Sequence, residues 1–332
     1  MVYYFGGFPP PYGGVTIKNK LLTEYLEKHI PLKKLDTLKA KKNPFRLLSQ
    51  TAKLVFCRKG TVVVATSSAS RRRITMLLAR LNPARLKKAV LMVMGGRLAE
   101  ELPGDEAFED ALKQYRQLFV ETESLRQKLL ARNFTNVSVY PNCRVDNRVE
   151  SIRPTEGSGL KCCFFSLISP EKGVDTVLEA AARLPGITVE LYGELEPAYQ
   201  EEFLQRVAEL DNVSYHGVFR SDGVNIYGKL HEYDALLLPT RYKNEGVPGI
   251  LVEAKIAGVP SVVSDHAYNR EIVEHDKAGV VLEENSVECL ARELDDLSRE
   301  PARVDRLKQG ALDSARDYLI ETYIQDIISY LR

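Results

Sequence analysis

Along most of this chain, short apolar runs alternate with stretches whose apolar residues recur every three or four positions. The runs, bounded by turn formers, read as buried strands, and the periodic stretches as amphipathic helices. Val2 to Phe5 predicts a first strand, then the loop GGFPPPYGG, then a helix capped by Thr16 that buries Leu21, Leu22, Tyr25 and Leu26. A Lys-rich connection at 33–42 leads to a helix from about Asn43 to Cys57 and a strand at Thr61–Thr66. The helix RRRITMLLARL comes next, with Ile74, Leu77, Leu78 and Leu81 inward, and then a strand at Val90–Met94. Helices near Asp105–Arg116 and Glu123–Arg132 flank LFVET, and VSVYPN closes the first half.

The second half repeats the alternation: CCFFSLI, VDTVLEAAARL, ITVELYG, AYQEEFLQRVAEL, VSYHG. Strand and helix in regular turn predict a parallel sheet covered on both faces. Between the halves, Arg144 to Gly159 is polar and holds Pro154, Gly157 and Gly159, the composition of a linker. The expected division is residues 1–150, residues 151–315, and a helical tail at 316–332. No repeat of solenoid period is visible.

The stretch Asp234 to Asp265 carries the clearest chemistry. DALLLPT predicts a buried strand and RYKNEGVPG a polar loop. Pro248 is expected at the first helical position, where no N–H is needed, before a helix striped by Ile250, Leu251, Ala254 and Ala257 and stopped by Gly258. Glu245 on the loop and Glu253 on the helix are separated by seven residues. Both can face the crevice at the strand's carboxyl end, where open α/β sheets bind ligands. The N–H groups of Gly249, Ile250 and Leu251 are expected to be bare there and to suit a phosphate.

The chain of 332 residues is 44% hydrophobic and 27% charged, as in soluble globular proteins. Its opening lacks a basic start and a long apolar core, so no secretory leader is expected, and its apolar runs are too short to span a bilayer. Five cysteines without framework spacing suit a reducing compartment, and the adjacent Cys162 and Cys163 point to opposite faces of a strand. The net charge of +1 hides an asymmetry: residues 1–150 carry +14 and residues 151–332 carry −13. A basic half of this kind suits an anionic membrane surface, a lipid phosphate or an anionic glycan. Arg71, Arg72 and Arg73, which open a predicted helix against its dipole, are candidates for that contact. No nucleic-acid reader module, Walker lysine or G-x-S-x-G elbow occurs, and no Asp-x-Asp that would hold a metal.

PTRYKNEGVPGILVEAKIAGVPSVVSD resembles the E-x7-E signature of retaining sugar-nucleotide glycosyltransferases of the GT-B fold, most like glycosyltransferase family 4. The resemblance implies two doubly wound, Rossmann-like α/β domains facing a central cleft, with the tail crossing back to the first domain. It implies that Glu253 holds the donor's ribose hydroxyls and Glu245 its sugar, with Val247, Gly249, Ile250 and Leu251 lining the donor site. SLISPEKGVD is similar to the family's loop after the first strand of the second domain, so Lys172 is expected on the donor diphosphate and, with Glu245, in catalysis. An Arg usual five residues earlier is Leu167 here, and Arg241 is a candidate to compensate. Gly13 and Gly14 match backbone that approaches the donor phosphate and acceptor. Gly193, His216 and Gly217 lie at strand ends where main chain meets the base, and the His216 ring is expected to pack or stack. The family's His near the end of the Val90–Met94 strand is replaced by Met94 or Gly95, leaving Arg97 as the nearest polar side chain.

The resemblance therefore implies a metal-independent, cofactor-free retaining transferase. It would move a sugar from a nucleotide-diphosphate sugar to a glycan or lipid-diphosphate-linked acceptor in surface polysaccharide synthesis. The expected location is cytoplasmic, peripheral on the inner face of the cell membrane. The alternatives are a degenerate GT-B protein that supports a partner transferase, and a GT-B nucleotide-sugar epimerase.

Overall fold

Among the described residues the strands form two six-stranded sheets, each wholly parallel. This is a computed structural model, and it describes residues 1–10, 13–41, 43–56, 60–157, 159–220, 225–243 and 245–332. One unit comprises Met1–Val145 with Tyr318–Arg332, the other Asp146–Asp317.

The first sheet holds β1 (Val2–Gly6), β2 (Leu32–Asp36), β3 (Thr61–Ala65), β4 (Val90–Met92), β5 (Gln117–Val120) and β6 (Val137–Val139), in the order β2-β1-β3-β4-β5-β6. Strand β2 and the helix Thr37–Lys41 occupy much of the stretch expected to be a Lys-rich connection. The strand hid because it lies at the sheet edge, paired only to β1, with Lys33 and Lys34 exposed. Edge strands take charge where inner ones cannot. The expected end of the next helix at Cys57 lies outside the described residues, as do Pro11 and Tyr12 of the glycine loop.

Two helices of this unit differ from expectation. Helix Gly14–Leu26 is capped by Gly13, not Thr16; Thr16 lies in the first turn, its hydroxyl accepting from the Gly13 N–H and donating to the Gly13 carbonyl, both at 3.0 Å. Helix Ser68–Leu81 starts before the arginine run, so Arg71 to Arg73 sit past its first residues and oppose the dipole less than expected. Leu81, expected inward, is 50% exposed.

The last two helices are Pro301–Ser314 and Ile320–Leu331, separated by a 3-10 turn at Ala315–Tyr318, so the expected tail at 316–332 is that turn and the final helix. Ile320, Ile324, Ile327 and Ile328 share the core of the first unit with Tyr4, Leu22, Val63 and Phe119. Their spacing is one helix face. Backbone bonds from Arg144 N–H to Tyr318 O and from Ile320 N–H to Arg144 O, each 2.9 Å, fasten the entry of that last helix.

The second sheet holds β7 (Lys161–Phe165), β8 (Thr188–Tyr192), β9 (Val213–Tyr215), β10 (Ala235–Leu238), β11 (Ser261–Ser264) and β12 (Gly279–Leu282), in the order β12-β11-β10-β7-β8-β9. Cys162 and Cys163 are buried in β7, and burial pushes both thiols up. The chain enters at β7, runs out to β9, then returns to lay β10 against β7. That reversal is the topological switch point, and open α/β sheets bind ligands beyond the carboxyl ends of strands there. At the opposite end, buried Asp234 joins β7 and β10: it accepts from the Lys161 N–H at 2.9 Å and from Lys308 Nζ at 2.7 Å.

Candidate active site

The loops after β7 and β10 meet at the switch point. Pro170–Lys172 forms a 3-10 turn ended by Gly173, whose φ of +82° favours glycine. A side chain at Gly173 would also strike the Pro239 carbonyl, so the two loops are locked together by backbone. This brings Lys172 Nζ to 2.5 Å from Glu245 Oε2, with only 15% and 10% of the side chains exposed. Thr240 donates to the same Glu245 oxygen at 3.2 Å, and the ammonium lies 4.7 Å from the Tyr242 ring centroid. A carboxylate and an ammonium thus face each other at the switch point.

Arg241 does not join them. Its guanidinium pairs with Asp175 and reaches Thr176 Oγ1 at 3.5 Å, both at the start of the next helix. Without a ligand, then, its charge is directed to Asp175 and not to Glu245. Leu167 is 43% exposed and brings no charge.

The helix after the loop is Gly249–Ile256, with Pro248 as its N-cap rather than its first residue. Leu251 N–H bonds the Pro248 carbonyl at 3.2 Å, so the expected set of three bare donors is reduced. Gly249 and Ile250 N–H make no backbone bond among the described residues. Val247 is buried beside them. Glu253 and Ile250 line an open cavity of about 370 Å³ walled by Phe165, Tyr192, Phe219 and Gly193. Glu245 and Glu253 thus serve different neighbours, the first Lys172 and the second this aromatic cavity.

Gly193 has a reason other than ligand approach: a side chain there would collide with the Ser166 carbonyl at the end of β7. Its N–H donates to Gly217 O at 2.9 Å, which ties the ends of β8 and β9. The His216 ring stacks on Tyr192 at 4.9 Å, and Tyr192 stacks on Phe165 at 4.3 Å. His216 is therefore part of the cavity's supporting wall.

Glu190, on β8, was missed. It accepts from Tyr233 Oη at 2.5 Å and Tyr192 Oη at 2.7 Å, and its oxygens lie 3.2 Å from Lys161 Nζ and 3.5 Å from Lys229 Nζ and His216 Nε2. Burial pushes its carboxyl up, but the tyrosine hydroxyls and Lys161 outweigh this and hold it at about 2, below the ordinary 4.5. A carboxylate in the middle of ITVELYG, within a sheet covered on both faces, was the available signal. Because its proton affinity falls on folding, Glu190 stabilises fully above about pH 4.5 and loses that contribution as pH falls through about 2. Glu190→Gln is expected to lower the melting temperature at pH 7 and to flatten the acid limb between those values, as read by thermal unfolding across pH.

Residues 153–313, within the second unit, match the family described as "Glycosyl transferases group 1". The chain is 27% identical over 229 residues to the amylovoran biosynthesis glycosyltransferase AmsK of Erwinia amylovora, covering 62% of this chain and 52% of AmsK. It is 27% identical over 182 residues to the putative colanic acid biosynthesis glycosyltransferase WcaL of Salmonella typhimurium, covering 52% of this chain and 44% of WcaL. The chain therefore spans about half the length of these relatives. Among solved structures, Anabaena HepE in complex with UDP matches with a TM-score of 0.72 at 15% identity, covering 99% of each chain. Sucrose-phosphate synthase from Thermosynechococcus elongatus matches with a TM-score of 0.72 at 13% identity, covering 99% of this chain and 98% of the other. The fold is that of the GT-B glycosyltransferases.

In the first unit, Gly13 and Gly14 stand at a helix start, with nothing within 4 Å of a side-chain position on either. Nearby Lys18 and Glu121 form a buried pair at 2.9 Å, and Gly95 N–H donates to Glu121 at 3.2 Å. Neither charge stands out along the chain, since Lys18 lies beside Asn19 and Lys20, and Glu121 beside Thr122 and Glu123. Met94 is packed. Arg97 is half exposed and pairs with Glu100 at 3.0 Å. The arginine run separates by face. Arg71 is 1% exposed, pairs with Glu101 at 2.7 Å and donates to Met94 O at 3.1 Å. Its role as a surface contact is corrected, since burial and a carboxylate partner withdraw it from solvent. Arg72 pairs with Asp105 at 2.6 Å and Arg73 is exposed.

Proposed function

We propose that this protein is a glycosyltransferase that moves a sugar from a nucleotide-sugar donor to a glycan acceptor, with retention at the anomeric carbon and without a metal, in surface polysaccharide synthesis. The observation that carries the reading is the Lys172–Glu245 pair at the switch point. A donor diphosphate would draw the Lys172 ammonium from Glu245, and the freed carboxylate would accept the sugar's hydroxyls. Glu253 would accept the ribose hydroxyls, beside an aromatic cavity of small-ligand size. The bare N–H groups of Gly249 and Ile250 would add to the phosphate contacts. Gly13 and Gly14, open at a helix start, would let a ligand approach backbone. The departing phosphate would take the acceptor's proton, on the face of the sugar that the acceptor attacks. Metal independence rests on the sequence, which has no Asp-x-Asp to bridge a metal to the diphosphate.

The names of AmsK and WcaL support a polysaccharide setting, and HepE, in complex with UDP-glucose in another structure, makes that the first donor to try. The acceptor we propose is lipid-diphosphate-linked, reached from the cytoplasm by a protein peripheral to the inner face of the membrane. Among the described residues no helix is long and apolar enough to cross a membrane.

Calorimetric titration with UDP-glucose and other nucleotide sugars tests donor binding, and product NMR tests the chemistry. Retained anomeric configuration on a lipid-diphosphate-linked glycan is the expected result. An inverted product would sink the retaining mechanism. Binding without turnover across acceptors would favour the degenerate protein, and a donor epimer as product would favour the epimerase.

A further inference from the structure

Residues 37–99 hold fifteen Lys or Arg and no Asp or Glu. Within them the helix Pro44–Phe56 is covered on one side, where Leu54 and Val55 are buried. Its last carbonyls are held by neighbours: Arg85 Nε donates to Leu54 O, and Asn82 Nδ2 to Val55 O at 2.8 Å. These bonds fix the rotation of the helix and leave a second apolar stripe outward. Phe45, Leu48, Ala52 and Phe56 recur three or four residues apart, on one face. Phe45 is 84% exposed, Leu48 69% and Phe56 62%. Single exposed hydrophobics are ordinary; a stripe of large ones on one helix marks a contact surface. Exposed Lys53 lies on the same helix, and Arg80, Lys87 and Lys88 are exposed close in sequence to Asn82 and Arg85.

We propose that this helix docks the protein on an anionic lipid bilayer. The outward Phe and Leu side chains enter the headgroup–acyl boundary, and the lysines and arginines meet the anionic headgroups. Charge decides the occupant. A second copy joined through the same face would set this acid-free stretch against itself, whereas an anionic surface complements it. The inference deepens the reading of a membrane-borne acceptor, and it moves the contact from Arg71, which is buried, to a surface that sequence reading did not single out.

The test is co-sedimentation of the full chain with vesicles of mixed phosphatidylglycerol and phosphatidylcholine, and of phosphatidylcholine alone. The protein is expected to bind the mixed vesicles, less so at high salt. The variant Phe45→Ser/Leu48→Ser/Phe56→Ser is expected to lose partitioning at least about tenfold while keeping its melting temperature. Should that variant unfold, Phe45→Ser alone and Lys87→Glu/Lys88→Glu are expected to weaken binding in the same direction. Equal binding to both vesicle types, or undiminished binding by a folded variant, would overturn the proposal. So would a dimer that the triple variant dissolves without any vesicle binding. UDP-glucose binding is measured separately without lipid, so failure of the transferase reading and failure of docking give different patterns.

Discussion

Lys172→Ala is expected to lower kcat/KM for sugar transfer by about 100- to 1000-fold, the scale of losing one preorganised charge on a developing anion. The loss should be this large because the charge is poorly backed up. The resemblance to family 4 glycosyltransferases implies a second cation where Leu167 stands, and Arg241 pairs with Asp175. Glu245→Gln separates the two roles in the pair. It removes the carboxylate that grips Lys172, so UDP should bind at least as tightly as before while turnover falls. Lys172→Ala should weaken UDP as well as slow turnover. Lys172→Arg should recover only part, since a planar fork replaces a compact ammonium 4.7 Å from the Tyr242 ring centroid. Steady-state kinetics with UDP inhibition reads all three. A Lys172→Ala enzyme that keeps wild-type UDP affinity and turns over within a few-fold of wild type would remove this lysine from the site.

The second large effect is on stability. Asp234→Ala should cost about 3–5 kcal/mol, seen as a lower urea midpoint of the full chain, because it strands a buried cation. Lys308 is 1% exposed and Asp234 3%. Lys308 also donates to Arg153 O at 2.8 Å and to Thr155 Oγ1 at 3.0 Å, but neither neutralises it. Arg153 bonds the same carboxylate at 3.0 Å and is 32% exposed, so Arg153→Ala should cost less, about 1 kcal/mol. Asp234→Ala/Lys308→Met should recover much of the loss, since removing both buried charges is far milder than removing one. A double variant no more stable than the single one would show that the damage lies in the lost Lys161 N–H partner at the start of β7 instead.

Sequence reading failed where a local pattern was outweighed by a neighbour from elsewhere in the chain. Strand β2 was missed because LKKLD sits at an edge, where only one partner is needed and lysine is tolerated. Arg71 to Arg73 look alike in one dimension, yet Arg71 enters the core, because Glu101 from another helix and the Met94 carbonyl receive it. Glu190 reads as one charge in a strand, and only folding gathers two tyrosines and two lysines on it. The pairing of Arg241 with Asp175, 66 positions away, is likewise invisible along the chain.

Periodicity and punctuation within a few residues were enough to establish alternating strands and helices, hence parallel sheets, and to mark the polar loop and helix that carry Glu245 and Glu253. Those features are local: apolar alternation, Pro248 before a helix and Gly258 after it are set by backbone sterics and burial over a turn or two. Long-range pairing alone decided the rest. Strand order placed the loops after β7 and β10 side by side, and so joined Lys172 to Glu245 across 73 positions. It also settled which charges are spent on one another and which apolar stripe of Pro44–Phe56 is left facing out. Partner identity at that range depends on three-dimensional packing, which no window along the chain contains.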